Sequence, residues 1–159
     1  MTVVGVRLEF PSNQPIVLLR ESDGTRFLPI FVGTPEATAI AYALEGLPTP
    51  RPMTHDLFKN VLDDRKIILR RVDITALEDR TFFALLYLDH DGEVKEVDAR
   101  PSDALALAVR YGADSVEIFA DEAVLAEAAV ELSEELEPAE SQVEQFREFL
   151  DTISPDDFG

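Results

Sequence analysis

Asp98-Ala99-Arg100-Pro101-Ser102-Asp103-Ala104-Leu105-Ala106-Leu107-Ala108-Val109-Arg110 joins a short extended run, Val94 to Asp98, to a helix so rich in Ala and Leu that it must be buried. Asp98, Arg100, Ser102 and Asp103 crowd the start of that helix. Desolvating polar groups is costly, so a core helix begins with few more of them than its cap requires. The excess here marks a candidate site. Pro101 at the first helical position and Gly112 just past the end define the helix as 101–111.

Working outward, the same punctuation occurs earlier. Pro29-Ile30-Phe31-Val32-Gly33-Thr34-Pro35-Glu36 runs into an Ala-rich helix, 35–45, that ends at Gly46. Pro35 and Pro101 are 66 residues apart, as are Gly46 and Gly112. Before each helix lies a hairpin signal, Asp23-Gly24 and Asp91-Gly92, between apolar runs. The spacing predicts a tandem ββα duplication over 2–46 and 70–112, with the two helices packed on one sheet system and related by an approximate twofold. The simpler alternative is two ordinary ββα units of coincident spacing.

Between the copies, Leu47-Pro48-Thr49-Pro50-Arg51-Pro52-Met53 is an extended connector, since each proline restricts itself and its predecessor. Thr54 is expected to cap a helix running to about Asp64, with Leu57, Val61 and Leu62 as its apolar face. Strands are expected at 2–10, 16–20, 26–32, 67–77, 81–88, 93–98 and 116–119. Asp121 should cap a helix to about Leu136. A last helix, 138–152, carries Val143, Phe146, Phe149, Leu150 and Ile153 on one stripe. The fold class is therefore α+β, with mixed or antiparallel sheets, packed helices and C-terminal helices. Residues 1–130 form one domain and 131–159 an acidic helical extension.

Net charge is −18, from 32 acidic and 14 basic residues, and only Arg147 is basic beyond residue 112. Such a surface repels nucleic acid at long range. RNA or DNA would have to be met locally, through residues 1–112. Cysteine is lacking, so disulfides, thiolate nucleophiles and thiolate metal sites are excluded. No window has the length of a membrane span and the chain opens on a strand-like Val3-Val4-Gly5-Val6, giving the expectation of a cytoplasmic protein without membrane association. The stripe on helix 138–152 suggests docking on the protein body or on a second subunit, with a homodimer as the favoured oligomer.

Three separated motifs, Pro29-Ile30-Phe31-Val32-Gly33 with Glu36-Ala37, Arg51-Pro52-Met53-Thr54-His55-Asp56-Leu57, and Asp98-Ala99-Arg100-Pro101-Ser102-Asp103-Ala104, resemble the bifunctional nuclease family of bacteria and plants, as does Thr81-Phe82-Phe83-Ala84. The resemblance covers about residues 2–130. It implies an α+β fold with a mixed sheet and an ability to degrade RNA and DNA, an activity attached to the plant members. The C-terminal segment resembles actinobacterial members and lacks the look of the UvrB/UvrC-type motif of plant ones.

His55 and Asp56 are candidate catalytic groups, a general base or metal-binding imidazole beside a carboxylate. Asp56 is also an ordinary first-turn acid favoured by the helix dipole, which does not account for His55. Asp98 and Asp103 are candidates to share a divalent cation, Mg²⁺ or Mn²⁺, with Glu36 as a third carboxylate. Arg51 and Arg100, each preceding a proline at a helix start, with Thr54 and Ser102, form a candidate phosphate site. The competing structural reading has Asp103 capping its helix and Arg100 neutralising Asp98. His90, between two aspartates at a hairpin tip, is assigned no role. Two functions follow: a metal-assisted phosphodiesterase of low sequence specificity, or a non-enzymatic anion- or nucleotide-binding regulatory module that oligomerises.

Overall fold

The computed structural model describes residues 1–112 and 115–131. Strands β1 (Thr2–Glu9), β2 (Gln14–Arg20) and β3 (Arg26–Phe31) lead into helix α1 (Thr34–Glu45). After helix α2 (Thr54–Asp64), strands β4 (Ile68–Glu78), β5 (Thr81–His90) and β6 (Glu93–Ala99) lead into α3 (Pro101–Ala108), which tightens into a 3-10 turn at Val109–Tyr111. Strand β7 (Glu117–Ala120), helix α4 (Glu122–Ala128) and strand β8 (Val130–Glu131) follow. The fold is α+β, and the three-strand-plus-helix unit occurs twice in the expected order.

Each unit is an antiparallel meander, but the fourth strand joins differently. The first sheet runs β1-β2-β3-β8 and the second β6-β5-β4-β7, with β7 parallel to β4. Among the described residues β8 pairs with Arg26 and Phe27 of β3, and none pairs with that edge at Pro29, which has no N–H to give. The inward residues alternate along the strands: Val17, Leu19, Leu28 and Ile30 from one sheet, Val72, Ile74, Ala84 and Leu86 from the other. They form one core with Ile40 of α1, Leu62 of α2 and Leu105 and Leu107 of α3. Each such Leu or Ile contributes roughly 1.5–3 kcal/mol by burial.

Helices α1 and α3 touch each other, and each lies on the sheet of its own unit. Ala37 and Ala104 are both 0 % exposed, and side chains this small let the two helices and their sheets approach closely. Gly46 ends α1 at φ 64°, a left-handed position that glycine adopts without penalty, and the Leu47 N–H returns to Tyr42 O at 2.9 Å.

Three expectations need correction. Met53, not Thr54, is the N-cap residue of α2, and Thr54 is the first helical residue. On α2 only Leu62 is buried, while Leu57 and Val61 are 57 % and 48 % exposed. The helix expected from 121 to 136 ends at Ala128, because Val130 and Glu131 satisfy backbone groups on the free edge of β3. Helix 138–152 and its apolar stripe lie outside the described residues. Among the described residues no helix is long and apolar enough to cross a membrane.

Candidate active site

The first turns of α1, α2 and α3 converge. Arg100, extended at φ −69° and ψ 141°, is the N-cap residue of α3, and Pro101 follows with its preset φ. Asp103 sits on the first turn of that helix. Its carboxylate makes no cap. Oδ1 meets His55 Nε2 at 2.9 Å and Oδ2 accepts from Arg100 Nε at 2.7 Å. Arg100 Nη2 reaches across to Glu36 Oε1 of α1 at 2.9 Å. One network thus joins both repeats and the connector helix through His55, Asp103, Arg100 and Glu36.

Burial sorts the members. The side chains of His55 and Glu36 are 12 % and 17 % exposed, whereas Arg100 is 65 % exposed. Burial pushes the Asp103 carboxyl up, but the hydrogen bonds from Arg100 and His55 outweigh it and hold the group below the ordinary carboxylate range. Its hydrogen bonds to Asp103 and then Glu36 raise the Arg100 guanidinium above its usual value, so it stays cationic. If Nε2 carries the proton, the ionised Asp103 accepts it and Nδ1 is left as the acceptor nitrogen of the ring.

Asp56 has a different use from the one its sequence position suggests. Oδ2 accepts the Met53 N–H at 2.8 Å, satisfying a helix-start donor, and Oδ1 accepts from Arg110 Nε at 2.6 Å. Arg110 is 5 % exposed and donates through Nη1 to Ala106 O at 2.6 Å and Ala39 O at 3.2 Å. This buried guanidinium pins the start of α2 to both repeat helices and fixes the residue next to His55. A second clamp joins the far end of α2, where Tyr111 Oη donates to Asp63 at 3.1 Å and Lys59 pairs with Asp63 at 2.6 Å. Burial and then the hydrogen bond to Asp63 push Tyr111 up to about 12, so it remains a donor.

The remaining expected residues stand apart. Asp98 lies opposite Leu85 on β5, whereas its neighbour Ala99 lies opposite the buried Ala84. Strand alternation therefore turns Asp98 to the face away from α3, and Arg100 pairs with Asp103 and Glu36 instead. Arg51 and Thr54 are exposed, and among the described residues neither is bonded to the network. Ser102 is 8 % exposed and makes no cap hydrogen bond. Glu36 and Asp103 are bridged by a guanidinium, which holds the place between them that a metal cation would need. Among the described residues no three His, Cys, Asp or Glu side chains are grouped so that they could hold a metal ion.

Of the residues singled out in the sequence, His55, Asp103, Arg100 and Glu36 are the ones brought together in this network. Sequence reasoning missed Arg110, although an arginine in the last turn of an Ala/Leu helix is itself a signal, since a buried guanidinium requires partners.

A twice-repeated three-strand-plus-helix unit, with an imidazole–carboxylate–guanidinium network where its helices begin, defines an α+β domain carrying a candidate acid–base site. Residues 17–133 match the family model of the bifunctional nuclease domain, and the chain belongs to that family. It is 47 % identical over 162 residues to Uncharacterized protein Rv1829 of Mycobacterium tuberculosis, covering 98 % of this chain and 95 % of the relative. Bifunctional nuclease 1 of Arabidopsis thaliana is 32 % identical over 100 residues, 60 % of this chain and 31 % of the plant protein. Bifunctional nuclease 1 of Oryza sativa subsp. japonica is 31 % identical over 101 residues, 62 % of this chain and 30 % of its own length.

Proposed function

We propose that this protein is a nuclease that hydrolyses phosphodiester bonds in RNA or DNA with little sequence specificity. The observation that carries the reading is the 2.9 Å contact between His55 and Asp103, with Arg100 held against the same carboxylate. The family membership and the plant relatives, which are named bifunctional nucleases, support it.

In this reading His55 Nδ1 takes the proton from the attacking oxygen, the 2′-hydroxyl of RNA or a water molecule. The new P–O bond places extra negative charge on the phosphoryl oxygens. Arg100 keeps N–H groups free beyond those given to Asp103 and Glu36, and these stabilise that charge. The proton then passes from His55 to the departing 5′-oxygen as the old P–O bond breaks. Asp103 holds the tautomer and offsets the imidazolium as it forms. Glu36 and Asp103 together keep the long Arg100 side chain in one orientation. Asp56 and Arg110 act on position alone.

A second reading has one observation in its favour: Arg100 is 65 % exposed and keeps N–H groups beyond those given to Asp103 and Glu36, so the network can bind an anion without chemistry. Homogeneous protein assayed on labelled RNA and DNA beside His55→Ala separates the two. Hydrolysis lost in the variant, with folding intact, supports the nuclease. Equal cleavage by both proteins traces the activity to a contaminant and leaves the anion-binding module.

A further inference from the structure

An open cleft of about 360 Å³ adjoins the network on the side of Arg100. Gln14, Phe31 and Gly33 line it from the first repeat, and Arg80, Arg100 and Ser102 from the second. Among the described residues that line it there is no aspartate or glutamate, in a chain with 32 acidic residues. The charged groups among them are two arginines. Arg80 is exposed and makes no ion pair among the described residues. Phe31 is 47 % exposed, and Phe82 lines the same cleft. Ser102, 8 % exposed, brings a hydroxyl that has no hydrogen bond among the described residues.

The position of Arg80 is itself informative. Asp79 and Arg80 form the two-residue turn between β4 and β5, with φ values of 47° and 65°. A turn of that type favours Asn-Gly, and a long side chain there carries backbone strain. The turn sets a guanidinium at the cleft mouth without an ion pair among the described residues.

We propose that this cleft binds the nucleotide next to the cleaved phosphate of a single-stranded nucleic acid, with Arg80 on its phosphate and its base against Phe31. The inference rests on the reading of His55 and Arg100 as the reacting centre and names the substrate form that centre receives. Exposed aromatic faces bind bases that are already unstacked, whereas a duplex keeps its bases stacked on one another. Arg100 belongs to both parts, since it lines the cleft and also grips Asp103. A strand bound along the cleft is thereby delivered to His55.

The test uses the full chain carrying His55→Ala, so that cleavage does not interfere, and fluorescence anisotropy with a labelled single-stranded oligonucleotide and its duplex. The single strand should bind more tightly. Arg80→Gly should weaken binding about three- to tenfold and shallow the salt dependence by about 0.7 in log–log slope. It should also raise thermal stability, because glycine relieves the left-handed turn. Phe31→Ala should weaken single-strand binding about fivefold or more. Unchanged affinity and salt slope in Arg80→Gly, or a duplex bound as tightly as the single strand, would overturn the proposal. These binding arms read the cleft alone. Equal cleavage by wild type and His55→Ala would instead defeat the nuclease reading and leave their outcome standing.

Discussion

The two repeat helices start alike and then diverge. Both α1 and α3 follow an extended N-cap residue, carry proline at the first or second helical position and a face of small residues, and pack on a three-stranded meander. On its first turn α1 presents a single carboxylate, Glu36, while α3 presents Ser102 and Asp103 behind Arg100. The shared features place the two helix starts side by side. The differences let one repeat's guanidinium be held by a carboxylate from each. The matching order of the two units accounts for the position of the site, and the residues that differ between their helix starts account for its polar network. Helix α2, which belongs to neither repeat, adds the imidazole.

The comparison can be broken first at the clamp that ties α2 to both repeats. Arg110→Ala removes a buried guanidinium and strands Asp56. Because Asp56 is itself 35 % exposed, the loss should be about 2–3 kcal/mol rather than the full cost of breaking a buried pair, read from urea unfolding. If the clamp joins the two repeats equally, Ala39→Leu on α1 and Ala106→Leu on α3 should destabilise to a similar degree. These sites are 1 % and 0 % exposed, and overpacking there should cost about 1–3 kcal/mol each. A cost confined to one helix would show the repeats to be packed unequally.

A smaller effect sharpens the difference at the first turns. The folded Asp103 carboxyl lies below its ordinary value, so as pH falls the unfolded chain takes up that proton first. The stability from its pairing is fully present above the unfolded value, near 4, and is lost as pH falls through the folded one. Asp103→Asn should flatten this acid limb, measured by denaturant unfolding between pH 7 and 3. An identical acid limb in the variant would show that Asp103 gains nothing from Arg100 and His55. The smallest expected effect is that of a chelator. With Arg100 as the cation between Glu36 and Asp103, EDTA should leave hydrolysis unchanged, and abolition would place a metal in the reaction.

The α+β class, the order of elements and most element boundaries were legible because proline, glycine and hairpin signals are local. Local signals also exposed His55, Arg100 and Asp103, whose residue types are expensive at buried helix starts. Legibility ended where partners come from distant parts of the chain. Asp98 sits only five residues before Asp103, yet strand alternation puts it on the other face of its sheet. Arg100 found Glu36, 64 residues away, in place of the neighbour that proximity suggested. Asp56 read as catalytic because nothing local announces that Arg110, 54 residues on, occupies it. The pairing of β8 with β3 was hidden for the same reason, since Val130 and Glu131 continue a helical pattern and only the free edge of β3 draws them away.

The central claim is that the junction of the two repeats with α2 is a phosphodiester-cleaving site built on His55 and Asp103. The most direct measurement is the hydrolysis rate of homogeneous wild-type protein on single-stranded RNA and DNA, beside His55→Ala and Asp103→Asn purified identically and shown to be folded. The account predicts that His55→Ala loses about a hundredfold or more and that Asp103→Asn loses less while folding normally. Equal rates in all three proteins would contradict it.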